Sequence, residues 1–180
     1  MPKQMGEATG DLDRLKRDIA ASEFDVVVAA SPENVLYTSD VFVSTQVDIR
    51  DRLALIAWDG VRDPVFVLCR VEEGFARQEG WIDDIRAYKE FVTSPVDLLA
   101  DALIEMGAER GYIGLELDYL AASYFDQLRQ RLPNARFGRA EPLFDRVRMF
   151  KTPRERDILS EAFRGTEKAL KESFEGTRIG

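Results

Sequence analysis

The sequence predicts an α/β domain, a mixed β-sheet with helices packed on it. Three observations carry that reading. An amphipathic segment is followed by "DVVVAA" at 25–30, in which Asp25 leads an unbroken apolar run. Two further apolar runs are joined by an Asp-Gly turn. Beyond them, segments of helical period alternate with short apolar runs.

Each element follows from local chemistry. "DLDRLKRDIAA" (11–21) sets Leu12, Leu15 and Ile19 on one helical face, with Asp11 placed to cap. "FDVVVAA" (24–30) has no polar alternation, so it reads as a strand covered on both faces. In "SPENVLYTSD" (31–40) Ser31 is placed to cap and Pro32 to take the first helical position. The stretch reads as a capped turn with a structural job, sending the chain toward a loop at 41–50. "RLALIAWDG" (52–60) and "DPVFVLCR" (63–70) are two strands, and Asp59-Gly60 suits a hairpin turn between them. "VEEGFARQEG" (71–80) predicts a short helix despite Gly74, and "WIDDIRAYK" (81–89) a half-exposed strand.

The next helix is the best specified. In "SPVDLLADALIEMG" (94–107) Ser94 caps, Pro95 opens the first turn and Asp97 takes the third position of a capping box. Leu98, Leu99, Ala102, Leu103 and Met106 form its buried stripe, and Gly107 ends it. "GYIGLELD" (111–118) is a strand and "YLAASYFDQLRQRL" (119–132) an amphipathic helix closed by Pro133. In the tail, "KTPRERDILSEAFRGTEKALKESFEG" (151–176), Thr152 caps, Pro153 follows and Glu155 completes a capping box, with Gly176 as C-cap. Ile158, Leu159, Ala162, Phe163, Ala169, Leu170 and Phe174 recur with helical period. Such a stripe needs cover, either from this domain or from a second domain outside these residues. No Gly-rich phosphate turn follows the first strand, which argues against a dinucleotide fold.

Composition narrows the function. A net charge of −8 argues against nucleic acid as a partner. No stretch approaches the ~20 apolar residues of a membrane span, so no membrane association is expected. One cysteine, Cys69, leaves no intrachain disulfide and points to a reducing, cytoplasmic setting. At the end of an apolar strand and with no histidine to activate it, Cys69 reads as a small buried hydrophobe.

The chain contains no histidine at all. Imidazole is the usual proton shuttle and a common zinc ligand, so its absence points away from a self-contained enzyme. No HExxH, paired-cysteine, Walker or GxSxG motif is present. Asp83 and Asp84 are adjacent, face opposite sides of a strand, and read as surface charges. Glu116 and Asp118 alternate so as to share a face, yet Asp118 is better read as the cap of the following helix. Arg146, Arg148, Lys151, Arg154 and Arg156 read as a solvated or interdomain face. "SDVFVSTQVDIRDR" (39–52) is a long polar connection with exposed-looking Val41, Phe42 and Val43, ending in Arg50 and Arg52. An aromatic and a guanidinium beside a strand start suit recognition of a small carboxylate or a partner chain. Core packing of Phe42 and simple solvation of the arginines are the competing readings.

"LDRLKRDIAASEFDVVVAASPENVLYTSD" resembles the opening of the creatinase and prolidase (Xaa-Pro peptidase, M24-like "pita-bread") family: an amphipathic helix, an Asp-apolar-apolar strand, then Pro32-Glu33-Asn34 leading to Tyr37. "IGLELDYL" looks like its strand-to-helix segment. "RVRMFKTPRERDILSEAFRGTEKAL" looks like its junction into a catalytic domain, through Lys151, Thr152, Pro153 and Glu155. The resemblance implies a ribonuclease H-like three-layer fold. It divides the chain into a disordered leader (1–10), a creatinase/prolidase-like N-terminal α/β domain (11–150), and a linker with the first helix of a missing catalytic domain (151–180).

It further implies a homodimer whose partners are the C-terminal catalytic domain of the same chain and a small dipeptide or carboxylate substrate. Catalytic, cofactor-binding and metal-ligating residues are all expected to be absent here. Two divalent metal ions (Mn, Co or Zn) would belong to the missing domain, although some relatives, creatinase among them, work without metal. Where the family has an apolar-Gly-Phe step after the Tyr, this chain has "TSDVFVSTQVDIR" without glycine. In relatives that loop reaches the neighbouring subunit's substrate, which marks Phe42, Arg50 and Arg52 as candidate substrate-shaping residues and leaves the substrate open. The alternative expectation is a stand-alone binding module without a catalytic domain. A carboxylate-only enzyme is a third, and would need converging acids.

Overall fold

The computed structural model describes residues 3–49 and 51–178. Its centre is a six-stranded mixed sheet in the order β4-β3-β2-β1-β5-β6. The strands are β1 (Val26–Ala29), β2 (Leu55–Trp58), β3 (Val65–Cys69), β4 (Asp84–Tyr88), β5 (Tyr112–Leu115) and β6 (Arg136–Arg139). Only β2 runs against its neighbours β1 and β3; the other pairings are parallel. The C-terminal ends of five strands therefore gather at one edge of the sheet.

Among the described residues eight α-helices flank it: α1 (Leu12–Ala20), α2 (Pro32–Ser39), α3 (Ser44–Asp48), α4 (Glu73–Glu79), α5 (Pro95–Glu105), α6 (Ala122–Arg131), α7 (Glu141–Met149) and α8 (Pro153–Gly176). Side-chain alternation along β1 sorts the core into two layers. Val26 and Val28 pack with Leu99 and Leu103 of α5 and Leu128 of α6. Val27 and Ala29 pack with Leu15 and Ile19 of α1 and Phe144 of α7. The result is the expected three-layer α/β architecture, and Cys69 is buried in the first of these layers.

Side-chain caps open four of the helices, α1, α2, α5 and α8. The Asp11 side chain accepts from Arg14 N and starts α1, whose buried face is Leu12, Leu15 and Ile19. Burying each of these side chains is worth about 1.5–3 kcal/mol. The Asp59-Gly60 turn forms as read, with Gly60 at φ +73°. A side chain there would also meet the Lys16 carbonyl oxygen at 2.7 Å. Gly107, at φ +79°, follows α5 as its stop.

Several expectations need correction. The capped turn at 31–40 is a full helix, α2, and the polar connection contains the short helix α3. Val41 and Val43 are buried in the core; only Phe42 between them faces solvent. Ser94 does cap α5, but through Val96 N, and Asp97 instead pairs with Arg131 on α6 at 2.6 Å. Asp118 caps nothing: the N-cap of α6 is Ala121, and Asp118 N donates to Glu141. Gly176 lies inside α8, which ends on Thr177 with φ −76°. Strand β6 and helix α7 complete the sheet edge and the second layer.

Of the expected leader, 1–10, residues 1–2 lie outside the described residues. Met5–Glu7 form a 3₁₀ turn, Ala8 is buried and Lys3 forms an ion pair with Asp40. Met5 packs against the α1 layer, which gives this segment a reason to be placed.

On the surface, Arg86 bridges Asp84 and Glu105. The hydrogen bond from Arg86 holds the Glu105 carboxyl below its usual range. A depressed folded-state pKa gives a contribution present above the unfolded value and lost as pH falls through the folded one. An NMR titration is expected to show Glu105 titrating low, and Arg86→Ala is expected to return it to the ordinary range.

Candidate functional site

At the C-terminal edge of the sheet, β5 runs directly into Glu116, whose side chain is only 3% exposed. Its Oε2 accepts from Ala30 N at 2.5 Å and Ser31 N at 2.9 Å, the residues that end β1 and cap α2. Its Oε1 accepts from Asn34 Nδ2 at 2.6 Å. Asn34 Oδ1 in turn accepts from Arg148 Nη1 on α7 at 3.0 Å. One buried carboxylate thus joins β1, β5 and α2, and the amide of Asn34 relays it to a guanidinium. Hydrogen bonds to a charged group contribute about 1.5–3 kcal/mol each, so this junction is a major fixture of the edge. Glu116 and Asp118 do not share a site: the first is buried and the second exposed.

The same edge presents the candidate loop. Helix α3 is seated by Gln46, whose Nε2 donates to Ala30 O at 2.6 Å, and by Glu72, which accepts from Thr45 N at 3.0 Å. Just before α3, Phe42 is 54% exposed although both neighbouring valines are buried. Arg52 places Nε and Nη2 on the two oxygens of Glu90, at 2.7 and 2.9 Å. Its fork is engaged across the edge, tying the entry to β2 to the exit from β4. Arg50 lies outside the described residues. Beyond Glu90, Phe91 stands 98% exposed at φ +61°, a conformation that costs a non-glycine residue of order 1–3 kcal/mol. The edge therefore carries exposed aromatic groups on anchored backbone.

Among the described residues, no three His, Cys, Asp or Glu side chains come together as a group able to hold a metal ion. Nor is any helix among them long and apolar enough to cross a membrane. A groove of about 810 Å³ opens between α2, α7 and the start of α8, floored by Leu36, Tyr37, Met149, Ile158 and Leu159. Burial pushes the Tyr37 phenol up, while its oxygen accepts from Asp11 N at 2.9 Å. Past this groove α8 is uncovered, with Phe163 73% and Phe174 78% exposed and no buried residue in 24. Of the two fates expected for its stripe, packing on this domain is not the one observed.

A sequence profile of the creatinase/prolidase N-terminal domain matches residues 12–150. The chain belongs to that family. The Xaa-Pro dipeptidase of Lactobacillus helveticus is 27% identical over 175 residues, covering 94% of this chain and 45% of the relative. The ectoine hydrolase of Halomonas elongata is 27% identical over 169 residues, covering 86% of this chain and 40% of the relative. The solved prolidase from Thermococcus sibiricus superposes with a TM-score of 0.78 at 14% identity, over 94% of this chain and 44% of that one. The creatinase/prolidase N-terminal domain described here thus spans less than half the length of these relatives and corresponds to their N-terminal region.

The Glu116–Asn34–Arg148 junction is not apparent from the sequence pattern. Its signal was present as the asparagine of Pro32-Glu33-Asn34 and a glutamate ending an apolar strand. The partners are 82 and 114 residues from Asn34, a pairing that local pattern does not reveal.

Proposed function

We propose that this chain is the non-catalytic N-terminal domain of an Xaa-Pro dipeptidase, aminopeptidase or creatinase-like hydrolase. The observation that carries the reading is α8, a capped 24-residue helix with an apolar stripe that this domain leaves bare. The family profile ends at residue 150, whereas the dipeptidase alignment covers 94% of the chain and so extends into α8. In this reading residues 1–150 are the N-terminal unit, and 151–180 are the linker and first helix of a catalytic domain. That domain, not this one, would hold two divalent metal ions in a metal-dependent member.

The sheet edge bearing Phe42 is read as the face turned to the neighbouring subunit of a homodimer, where it shapes the site of a small dipeptide or carboxylate. Phe42 supplies contact surface. Arg52 acts through Glu90 by holding the loop, and Arg50 belongs to the same loop. Relatives named for Xaa-Pro dipeptides and for ectoine both support a small carboxylate-bearing substrate. A cytoplasmic location accompanies this reading, on the warrant of the single buried cysteine.

The 180-residue chain is expected to show no turnover of Xaa-Pro dipeptides with manganese, cobalt or zinc added. Hydrolysis that persists through repurification and tracks the protein peak would overturn the non-catalytic assignment. An open reading frame stopping near Gly180 would favour a stand-alone module instead.

A further inference from the structure

The segment Lys3–Gly10 sits where α7 gives way to α8. The link between these helices is three residues long and extended, with Phe150 at φ −102°, ψ 107° and Thr152 at φ −63°, ψ 164°. Since α8 buries no residue, such a link alone would leave the helix free to swing. Several contacts oppose that motion. Arg154, in the first turn of α8, donates through Nη1 to the carbonyl oxygens of Glu7 at 2.7 Å and Ala8 at 3.2 Å. The Arg14 guanidinium lies 5.0 Å from the centre of the Phe150 ring. Arg148 ties the last turns of α7 to Asn34 on α2.

The segment that receives Arg154 is itself anchored. Lys3 forms an ion pair with Asp40, and Thr9 N donates to the same carboxylate at 3.2 Å. Glu7 and Gln4 close a capping box around the 3₁₀ turn, and Ala8 is buried. Thr9 and Gly10 then form part of the groove wall beside Tyr37.

We propose that Lys3–Gly10 is a clasp that fixes the direction in which α8 leaves the domain. Arg154 is its latch: a planar guanidinium reaches two successive carbonyls, which a lysine point charge matches less well. The Arg14–Phe150 contact steadies the link, and the Asp40 carboxylate holds the clasp to the C-terminal end of α2. The inference does not require a second domain, because the direction of α8 is measurable on this chain alone.

Spin labels on cysteines introduced at the exposed positions Asp126 on α6 and Glu167 on α8 would report that direction; native Cys69 is buried and leaves labelling selective. Electron–electron double resonance on the otherwise unchanged chain is expected to give a single narrow distance. Arg154→Ala and deletion of residues 1–8 are each expected to lose that narrow maximum, and Arg154→Lys to fall between. Because Arg154 is exposed, its alanine variant should keep the parent's melting temperature and circular dichroism. If the deletion unfolds the domain, Arg154→Ala alone decides the matter. A broad distribution in the parent, or a narrow one retained in Arg154→Ala, would overturn the proposal.

Discussion

Replacing Glu116 by alanine is expected to cost about 3 kcal/mol of folding stability, or roughly 6–12 °C in melting temperature for a chain of this size. The carboxylate accepts from Ala30 N, Ser31 N and Asn34 Nδ2, and alanine leaves these donors without their acceptor in a dry setting. Unmet donors in such a place are costly, because the desolvation penalty is no longer offset. Glu116→Gln, which keeps one carbonyl oxygen, is expected to cost less. Asn34→Ala should lower stability as well, and combining it with Glu116→Ala should add less than the sum, since the two share a bond. Urea unfolding with an unchanged slope is the appropriate measurement. A loss below about 1 kcal/mol for Glu116→Ala, the size of an ordinary net hydrogen bond, would mean the junction is peripheral.

In the longer protein of the proposed reading, Phe42→Ala is expected to lower kcat/KM by about ten- to thirty-fold while leaving the fold intact. The ring is more than half exposed here, so its loss barely touches this domain's core. A buried aromatic anchor at an interface is commonly worth about 2 kcal/mol on truncation, and each 1.36 kcal/mol is about tenfold in rate. Arg52→Ala is expected to have a smaller effect on catalysis and a visible one on loop order, since its fork is already engaged on Glu90. Values of kcat/KM for Phe42→Ala within about twofold of the parent, in a variant that still dimerises, would remove the ring from the substrate site. Arg50→Ala provides the companion measurement.

The readable parts of the fold were those in which one residue type has one local job. Asp11, Ser31 and Thr152 each accept from a backbone amide near the start of their helix, as their positions before apolar-periodic runs imply. The apolar run after Asp25 is indeed a strand, Val26–Ala29, with both faces covered. What escaped was short or depended on distant partners. Strand β6 is "RFGR", two arginines around Phe137 and Gly138, and it pairs with β5 where Gly114 and Gly138 lie opposite each other against Phe24. Helix α3 has five residues, too few for a period, and is held by Gln46 and Glu72. Val41 and Val43 looked exposed within a polar stretch, yet the turn at Asp40, with φ 63°, directs both inward. Local spacing permits Asp97 and Asp118 to cap, but their carboxylates pair with arginines on other elements, Arg131 and Arg139.

The candidate site divides in the same way. Family resemblance brought forward the loop at 39–52, and the structure places Phe42 and Arg52 at the same sheet edge. The Glu90 partner of Arg52 is 38 residues distant and was not foreseeable from charge spacing. The bare stripe of α8 was legible as a stripe. That this domain leaves it uncovered depends on the direction in which α8 leaves the groove, which no local pattern encodes.

Amide hydrogen exchange across residues 158–174 tests the central claim most directly, comparing this chain at low concentration with the longer protein of the proposed reading. Helices owe most of their stability to packing of an apolar face, so a bare α8 should exchange far faster than β1 and β5. In the longer protein the same residues should be protected as strongly as those central strands. Equal protection of α8 and β1 in the monomeric 180-residue chain would contradict the account, because the helix would then need no second domain to cover it.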